Sequence, residues 1–313
     1  MADFPLPKRR LGRTELRVTP LGMGGAHLGR IGPGSTEYSD ELAVAAVHRG
    51  LELGINVIDT APMYGESQRR VGLALAQWRS NEVKREDIII STKTGRGPDG
   101  AKDYSAAATR RSVERSLQLL QTDYIDILLV HDPDDLDPVL RPGGALEALL
   151  ECKDEGLIRA IGLGCRPHEF HRTCIETGHF DMSLTFCDYN LLDQSAAAGV
   201  LAPAAAHDVG IYNGTVIMLG LLGGEDPRDI ALRRPGFATP ERVQRATALW
   251  EWCRARELSL YALALQFSMR EPRIATALVG VREPQHLEAA VAAISAEIPA
   301  EVWDDLEEEF FGA

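Results

Sequence analysis

Short, nearly continuous apolar runs alternate along this chain with longer stretches in which apolar residues recur at every third or fourth position. Runs of the first kind read as strands buried on both faces, and stretches of the second kind as amphipathic helices that carry the chain back between parallel neighbours. The strands so predicted are Val18 to Met23, Asn56 to Thr60, Ile88 to Thr92, Ile125 to Val130, Ala160 to Gly164, Met182 to Phe186, Gly210 to Val216 and Ala277 to Gly280. Eight strands with helical crossovers predict a (β/α)8 TIM barrel, with residues 1–313 forming one domain.

Among the helices, SDELAVAAVHRGLELG opens on Ser39 and Asp40 as caps, carries Leu42, Val44, Ala45, Val47 and Leu51 as its stripe, and stops at Gly54. The same spacing predicts helices over Ser67 to Gln77, Ala106 to Leu120 and Pro240 to Arg256. Before the first strand, RRLGRTELRVTPLGMGG turns at Gly12 to Thr14 and reads as a β-hairpin capping one barrel end. After the last strand, REPQHLEAAVAAI and IPAEVWDDLEEEF predict two further helices. The Gly/Pro-rich LLGGEDPRDIALRRPGFATP reads as a long connection on the side where strands end, a place that shapes ligand access.

Composition narrows the partners. A formal charge of −13 repels phosphate backbones, and basic residues cluster only in the short PKRR, so nucleic acid is not expected. No apolar run approaches the ~20 residues a membrane span needs, and MADFPLPKRR lacks an apolar signal core, so the expectation is a cytoplasmic protein. Cys152, Cys165, Cys174, Cys187 and Cys253 show no C-x-x-C spacing, which fits reduced thiols. His168 and His171 in RPHEFHRT sit at a predicted helix start and read as solvent-facing histidines, so no metal is expected. Trp250 and Trp252 share one predicted helix and read as packing residues.

The candidate chemistry lies in NVIDTAPMYG, IIISTKTG and DILLVHDP, which carry Asp59, Tyr64, Lys93 and His131 at or just beyond strand ends. Each has a plain reading alone: a capping acid, a half-buried aromatic, a solvated lysine, a loop histidine. A barrel, however, gathers the carboxyl ends of its strands at one mouth, where barrel enzymes place catalysis. A phenol has a reference pKa of about 10, and a neighbouring ammonium favours its ionisation. Asp59 is then the counter-ion that keeps Lys93 charged, Lys93 tunes Tyr64, and His131 offers a neutral imidazole to orient a substrate oxygen. Such a set suits hydride transfer at carbon coupled to proton transfer at oxygen.

These motifs resemble the catalytic tetrad of the aldo-keto reductase superfamily, with DTAPMYG matching its Asp and Tyr, STKTG its Lys and LVHDP its His. IRAIGLG, YNLLDQ and ALVGVREPQHLEAA extend the resemblance almost end to end, and GIYNGTVIMLGLLGG is similar to the NAD-dependent aldose 1-dehydrogenase group, which includes L-galactose, L-fucose and D-arabinose dehydrogenases, with pyridoxal 4-dehydrogenase nearby. The resemblance implies an NAD(P)-dependent oxidoreductase that oxidises a sugar or other cyclic hemiacetal to its lactone, with Tyr64 as general base. It also leaves open an NADPH-dependent aldehyde or ketone reductase, and a non-catalytic, cofactor-binding regulatory subunit like the channel-associated members.

For the coenzyme the resemblance implies contacts from Gly22, Met23, Asp59, Gly164, Cys165, Phe186, Asn213, Gly214, Thr215, Leu219, Gly280, Val281, Arg282 and His286. It also exposes departures. Gly164, Cys165 and Phe186 stand where the family often has a Ser-Asn pair and a Gln for the nicotinamide amide, and Gly214 replaces the usual stacking aromatic. At the adenosine end, Gly280, Val281 and His286 stand where NADP-preferring members carry Lys, Ser and Arg, and Ala289 and Ala290 replace acidic and amide residues. With Glu283 beside Arg282 this favours NAD over NADP. Substrate contacts are expected from loops, with the loops after Gly25 and Leu222 and the chain end near Phe310 and Phe311 as candidates, and Gly29 to Ser35 reads either as a sugar contact or as a plain turn.

Overall fold

The computed structural model describes residues 6–29, 38–80, 82–234 and 236–312. Two strands, β1 (Arg9–Arg10) and β2 (Arg17–Val18), pair antiparallel as the expected hairpin. Eight parallel strands then close into a barrel: β3 (Leu21–Gly24), β4 (Val57–Asp59), β5 (Ile89–Thr94), β6 (Ile125–His131), β7 (Ile158–Gly164), β8 (Met182–Phe186), β9 (Gly210–Gly214) and β10 (Thr276–Gly280), with β10 pairing back onto β3. The helices are α1 (Ala26–Gly29), α2 (Asp40–Glu52), α3 (Ser67–Gln77), α4 (Ala106–Leu120), α5 (Asp137–Leu140), α6 (Ala145–Asp154) and α7 (His168–Glu176). They continue with α8 (Ala202–Ala206), α9 (Pro227–Arg233), α10 (Pro240–Ala255), α11 (Leu260–Arg270), α12 (Pro284–Ser295) and α13 (Ala300–Leu306).

The period of two along each strand divides the core into two shells. Val57, Ile89, Ile127, Leu129, Ala160, Met182 and Tyr212 point inward and fill the barrel. Their neighbours Ile58, Ile90, Leu128, Val130, Ile161 and Leu163 point outward and pack under the helices. Branched residues dominate both sets, which is why these runs are strands rather than helices. No helix among the described residues is long and apolar enough to cross a membrane.

The hairpin floors the barrel. Leu11, Leu16 and Val18 join the inward-facing cluster. Gly12, at φ +49°, lies so close to the start of β9 that a Cβ there would stand 2.2 Å from the backbone nitrogen of Gly210. Arg9 donates to the carbonyls of Ile274 and Met269, both at 2.7 Å. Two buried carboxylates tie the strands above this floor. Asp126 accepts from the backbone N–H of Ile90 at 3.0 Å and meets Arg85 and Arg159, each at 2.9 Å. Asp181 accepts from the N–H of Ile161 at 2.9 Å and meets Lys153 at 2.6 Å.

Several expectations are corrected in detail. The first barrel strand starts at Leu21 rather than Val18, because Val18 pairs with Arg9 in the hairpin and Pro20, with no N–H, has nothing to donate to a ladder. The seventh barrel strand ends at Gly214 rather than Val216, since Thr215 turns to φ +59°. The connection after Leu222 contains α9, capped by Asp226, whose side chain accepts from the Arg228 N–H. Helices α6, α8 and α11 were not expected from spacing. In α11, Leu260, Ala262, Leu263, Ala264 and Leu265 are all buried, so there is too little polar contrast to show a stripe. Of the two C-terminal helices, α12 packs against α2 and α11, while α13 places Val302, Trp303 and Leu306 on α10 and α11.

Replacement of Asp126 by alanine is expected to lower unfolding free energy by roughly 2–3 kcal/mol, because a buried N–H and two arginines lose one acceptor together. Urea denaturation followed by circular dichroism checks this.

Candidate active site

Three of the four candidate residues lie at or near the carboxyl ends of adjacent strands, each two residues further along than the one before. Asp59 ends β4 opposite Ser91, Lys93 lies on β5 opposite Leu129, and His131 ends β6. Lys93, with 2% of its side chain exposed, donates from Nζ to Asp59 Oδ2 at 2.7 Å and to the Thr60 carbonyl at 2.9 Å. Ser91 donates to the other Asp59 oxygen at 2.7 Å. Tyr64 reaches the same place from a 3-10 turn, Pro62–Tyr64, in the loop after β4. Lys93 Nζ stands 4.8 Å from the Tyr64 ring centre. The His131 ring meets Tyr64 edge-on, centres 6.0 Å apart and planes at 89°.

Two glycines set the angle of that turn. A Cβ on Gly29, at the end of α1, would fall 1.5 Å from the Tyr64 carbonyl oxygen. Gly65 follows Tyr64 at φ +59°, and a Cβ there would come within 2.7 Å of the Gly29 carbonyl. Only side-chain-free backbone fits where these two segments cross. On the other flank, Tyr104 donates to the carbonyls of His131 and Asp132 at 2.8 and 3.0 Å, which fixes the exit of β6.

The electrostatics divide unevenly between the partners. Burial pulls the Lys93 ammonium toward neutrality, but Asp59 and Tyr64 outweigh it and the pKa moves up, so the residue stays charged. At Tyr64 burial pushes the pKa up and Lys93 pulls it down; here burial wins, and the net direction is up. The expectation that Lys93 tunes Tyr64 toward phenolate is therefore right in sign and wrong in outcome. In the free protein Tyr64 is a neutral phenol at pH 7.

These side chains open into a cavity of about 710 Å³, within the range of small-molecule sites. Of the residues expected at a coenzyme, Asp59, Gly164, Phe186, Gly214, Thr215, Leu219, Gly280, Arg282 and His286 line it. Five others do not. Gly22 faces Val57, Thr276 and Leu278 below the mouth. Met23 is buried outside the barrel against Gly50 of α2. Cys165 is buried beside His171, and burial pushes its thiol pKa up. Asn213 turns outward and donates to the Tyr189 carbonyl and Ser268 hydroxyl, both at 2.8 Å. Val281 packs in the outer core. In strands, inward and outward positions alternate, so a one-residue error in placing a mouth residue sends it to the wrong shell.

Gly24, His27, Met63, Arg96, Asp132 and Arg234 also line the cavity and were missed. Asp132 and Arg96 form an ion pair at 2.9 Å, and both lie within three residues of a named candidate, the signal that could have found them. The reading of Gly29 to Ser35 as a substrate loop falls largely on residues 30–37, which lie outside the described residues. Phe310 and Phe311 pack against Trp252 and Phe267. Trp252 is buried in the same cluster, and Trp250 donates to the Gly224 carbonyl at 3.0 Å between Arg228 and Arg254.

The histidines of α7 are corrected too. His171 is fully buried rather than solvent-facing, lies 3.0 Å from the Cys165 carbonyl, and burial lowers its pKa to about 4. His168 stands 2.9 Å from Asp188. No group of three or more metal-binding side chains occurs among the described residues.

A dinucleotide fits the cavity by shape and charge. Gly24, Gly164, Gly214 and Gly280 leave its wall without side chains; a Cβ on Gly214 would stand 3.1 Å from Phe186. Arg234 and Arg282, both in its lining, supply cations suited to phosphate oxygens. An eight-stranded barrel with an acid–lysine–phenol–imidazole set at the strand ends and a glycine-walled trough beside it defines a nicotinamide-dependent barrel oxidoreductase. Residues 20–309 match the Aldo/keto reductase family, and the chain belongs to that family. It is 33% identical to the L-galactose dehydrogenase of Arabidopsis thaliana, over 92% of this chain and 88% of that protein. It is 32% identical to the pyridoxal 4-dehydrogenase of Microbacterium luteolum, over 96% and 97%. The holo form of an aldo-keto reductase from Bacillus halodurans superposes with a TM-score of 0.77 at 27% identity, covering 98% of this chain and 97% of that one. The protein is an NAD(P)-dependent oxidoreductase.

Substitution of Gly29 by alanine is expected to displace the Tyr64 turn and lower turnover by about 10-fold to 100-fold, while coenzyme affinity changes little. Steady-state kinetics beside a fluorescence titration with the dinucleotide separate the two effects.

Proposed function

We propose that the protein oxidises the anomeric carbon of a sugar, or of another cyclic hemiacetal, to the lactone with NAD as coenzyme. The observation that carries this reading is the convergence of Tyr64, the buried Lys93–Asp59 pair and His131 on one cavity mouth. Nicotinamide, when bound, supplies the hydride acceptor. Tyr64, as the phenolate that Lys93 stabilises, takes the proton of the anomeric hydroxyl and becomes the neutral phenol. Asp59 holds Lys93 charged against its burial, and His131 orients the reacting oxygen. The resemblance to L-galactose and pyridoxal 4-dehydrogenases supports a hemiacetal substrate.

The adenosine end supports NAD. Gly280 offers no side chain, Val281 is buried, and Glu283, 3.4 Å from His286, is an acid next to Arg282 in sequence that would repel a 2′-phosphate. We take the whole chain as one catalytic domain acting in the cytoplasm.

One observation favours a second reading, reduction of an aldehyde or ketone with NADPH. Burial keeps Tyr64 protonated, which is the form a proton donor needs. The two readings separate by direction and coenzyme. Purified protein with NAD or NADP and a panel of aldoses plus pyridoxal is expected to form reduced nicotinamide, followed by absorbance, fastest with NAD. Silence there together with consumption of NADPH by aldehydes would establish the reductase.

Tyr64→Phe is expected to bind coenzyme normally and lose about 100-fold to 10,000-fold in turnover. Oxidation needs the phenolate, so its rate rises as pH climbs toward the elevated Tyr64 pKa. Removing the opposing cation in Lys93→Met raises that pKa further and moves the rising limb to higher pH. A pH–rate profile unchanged in Lys93→Met refutes the coupling.

A further inference from the structure

A second cavity of about 660 Å³ lies behind the Tyr64 turn, between α3, α4 and the loop after β5. Four arginines line it: Arg69, Arg96, Arg111 and Arg115, against two acids, Glu66 and Asp103. In a chain of net charge −13 this is a basin of opposite sign, and its walls focus that field.

The arginines differ in what holds them. Arg69 is spent on Asp40 and Glu66, at 2.7 and 2.6 Å. Arg110, next door on α4, is held by Glu114 and Glu155 at 3.1 and 2.6 Å and lies outside the groove. Arg111 and Arg115 are exposed and make no ion pair or side-chain hydrogen bond with any described residue. Asp103 attracts Arg111 only at a distance, while its own oxygen accepts from the Ser105 N–H at 3.0 Å. Four residues apart, Arg111 and Arg115 stand about one helical turn, some 6 Å, from each other on the face that lines the groove. Two guanidinium forks at that spacing match the oxygens of one phosphate group, or of two joined phosphates.

We propose that this groove is a binding site for a small phosphate-bearing molecule, distinct from the coenzyme cavity. A long polyanion is disfavoured by the surrounding negative field, whereas a compact anion fits inside the basin. Pro62, the first residue of the Tyr64 turn, and Gly65, which follows it, form part of the wall. Arg96 lines both cavities and is the ion partner of Asp132, next to His131. An anion that draws on Arg96 therefore acts on the catalytic mouth from behind, and the site is regulatory in kind.

The test uses inorganic pyrophosphate as probe and full-length protein saturated with NAD, so that the coenzyme's own phosphate subsite is filled. Isothermal titration is expected to show binding that weakens about tenfold or more in Arg111→Gln/Arg115→Gln, whose fold is checked by melting temperature, and that persists in Arg282→Gln. Equal affinity in the double variant overturns the proposal. So does loss of binding in Arg282→Gln alone, which places the probe at the coenzyme site, and so does absence of binding to the NAD-saturated wild type up to about 10 mM.

Discussion

A lysine ammonium with 2% of its surface in water is the constraint around which this molecule is arranged. Burying such a charge alone costs several kcal/mol, and the interior tolerates it only with an ion partner and further acceptors in good geometry. Asp59 supplies the partner, the Thr60 carbonyl a second acceptor, and Ser91 occupies the remaining carboxylate oxygen. All of these groups come from the ends of two adjacent strands, so the register of β4 against β5 is also the register of the ion pair. The tyrosine, the imidazole and the trough for the coenzyme take their positions from that point outward.

The two ends of the barrel solve different problems with the same elements. At the floor, Asp126 and Asp181 have their oxygens committed to backbone and cationic partners, and the hairpin closes the interior against water. Polar groups there are satisfied and inert. At the mouth, burial and charge oppose each other, and Tyr64 is left with a raised pKa beside an ammonium that would lower it. Groups whose environments pull against each other in this way are where proton transfer becomes adjustable, and a barrel concentrates them on one face.

The barrel was legible because its strands are short, apolar and branched, and because Asp59, Tyr64, Lys93 and His131 each follow such a run. What was not legible depends on facing. Met23 and Asn213 lie one residue from true mouth positions, Gly24 and Gly214, and alternation turns both to the outer shell. Cys165, one beyond Gly164, faces α7 for the same reason. His171 looked like a surface histidine because it sits at a helix start; its burial comes with Cys165 at the strand end, which only tertiary structure brings near. Arg234 and Arg96 reach the cavity from loops, where no period tells direction.

The hairpin floor also bears on the order in which the molecule is assembled. Arg9 finds its acceptors at Ile274 and Met269, the former 265 residues away, and β3 completes its pairing only when β10 arrives. One edge of β3 thus stays unpaired until the last strand exists. Loop-closure entropy of that length must be overcome before these contacts return anything, so a nascent chain lacking its final forty residues can seat Leu11 on Gly210 but can neither close its barrel nor give Arg9 the Ile274 carbonyl.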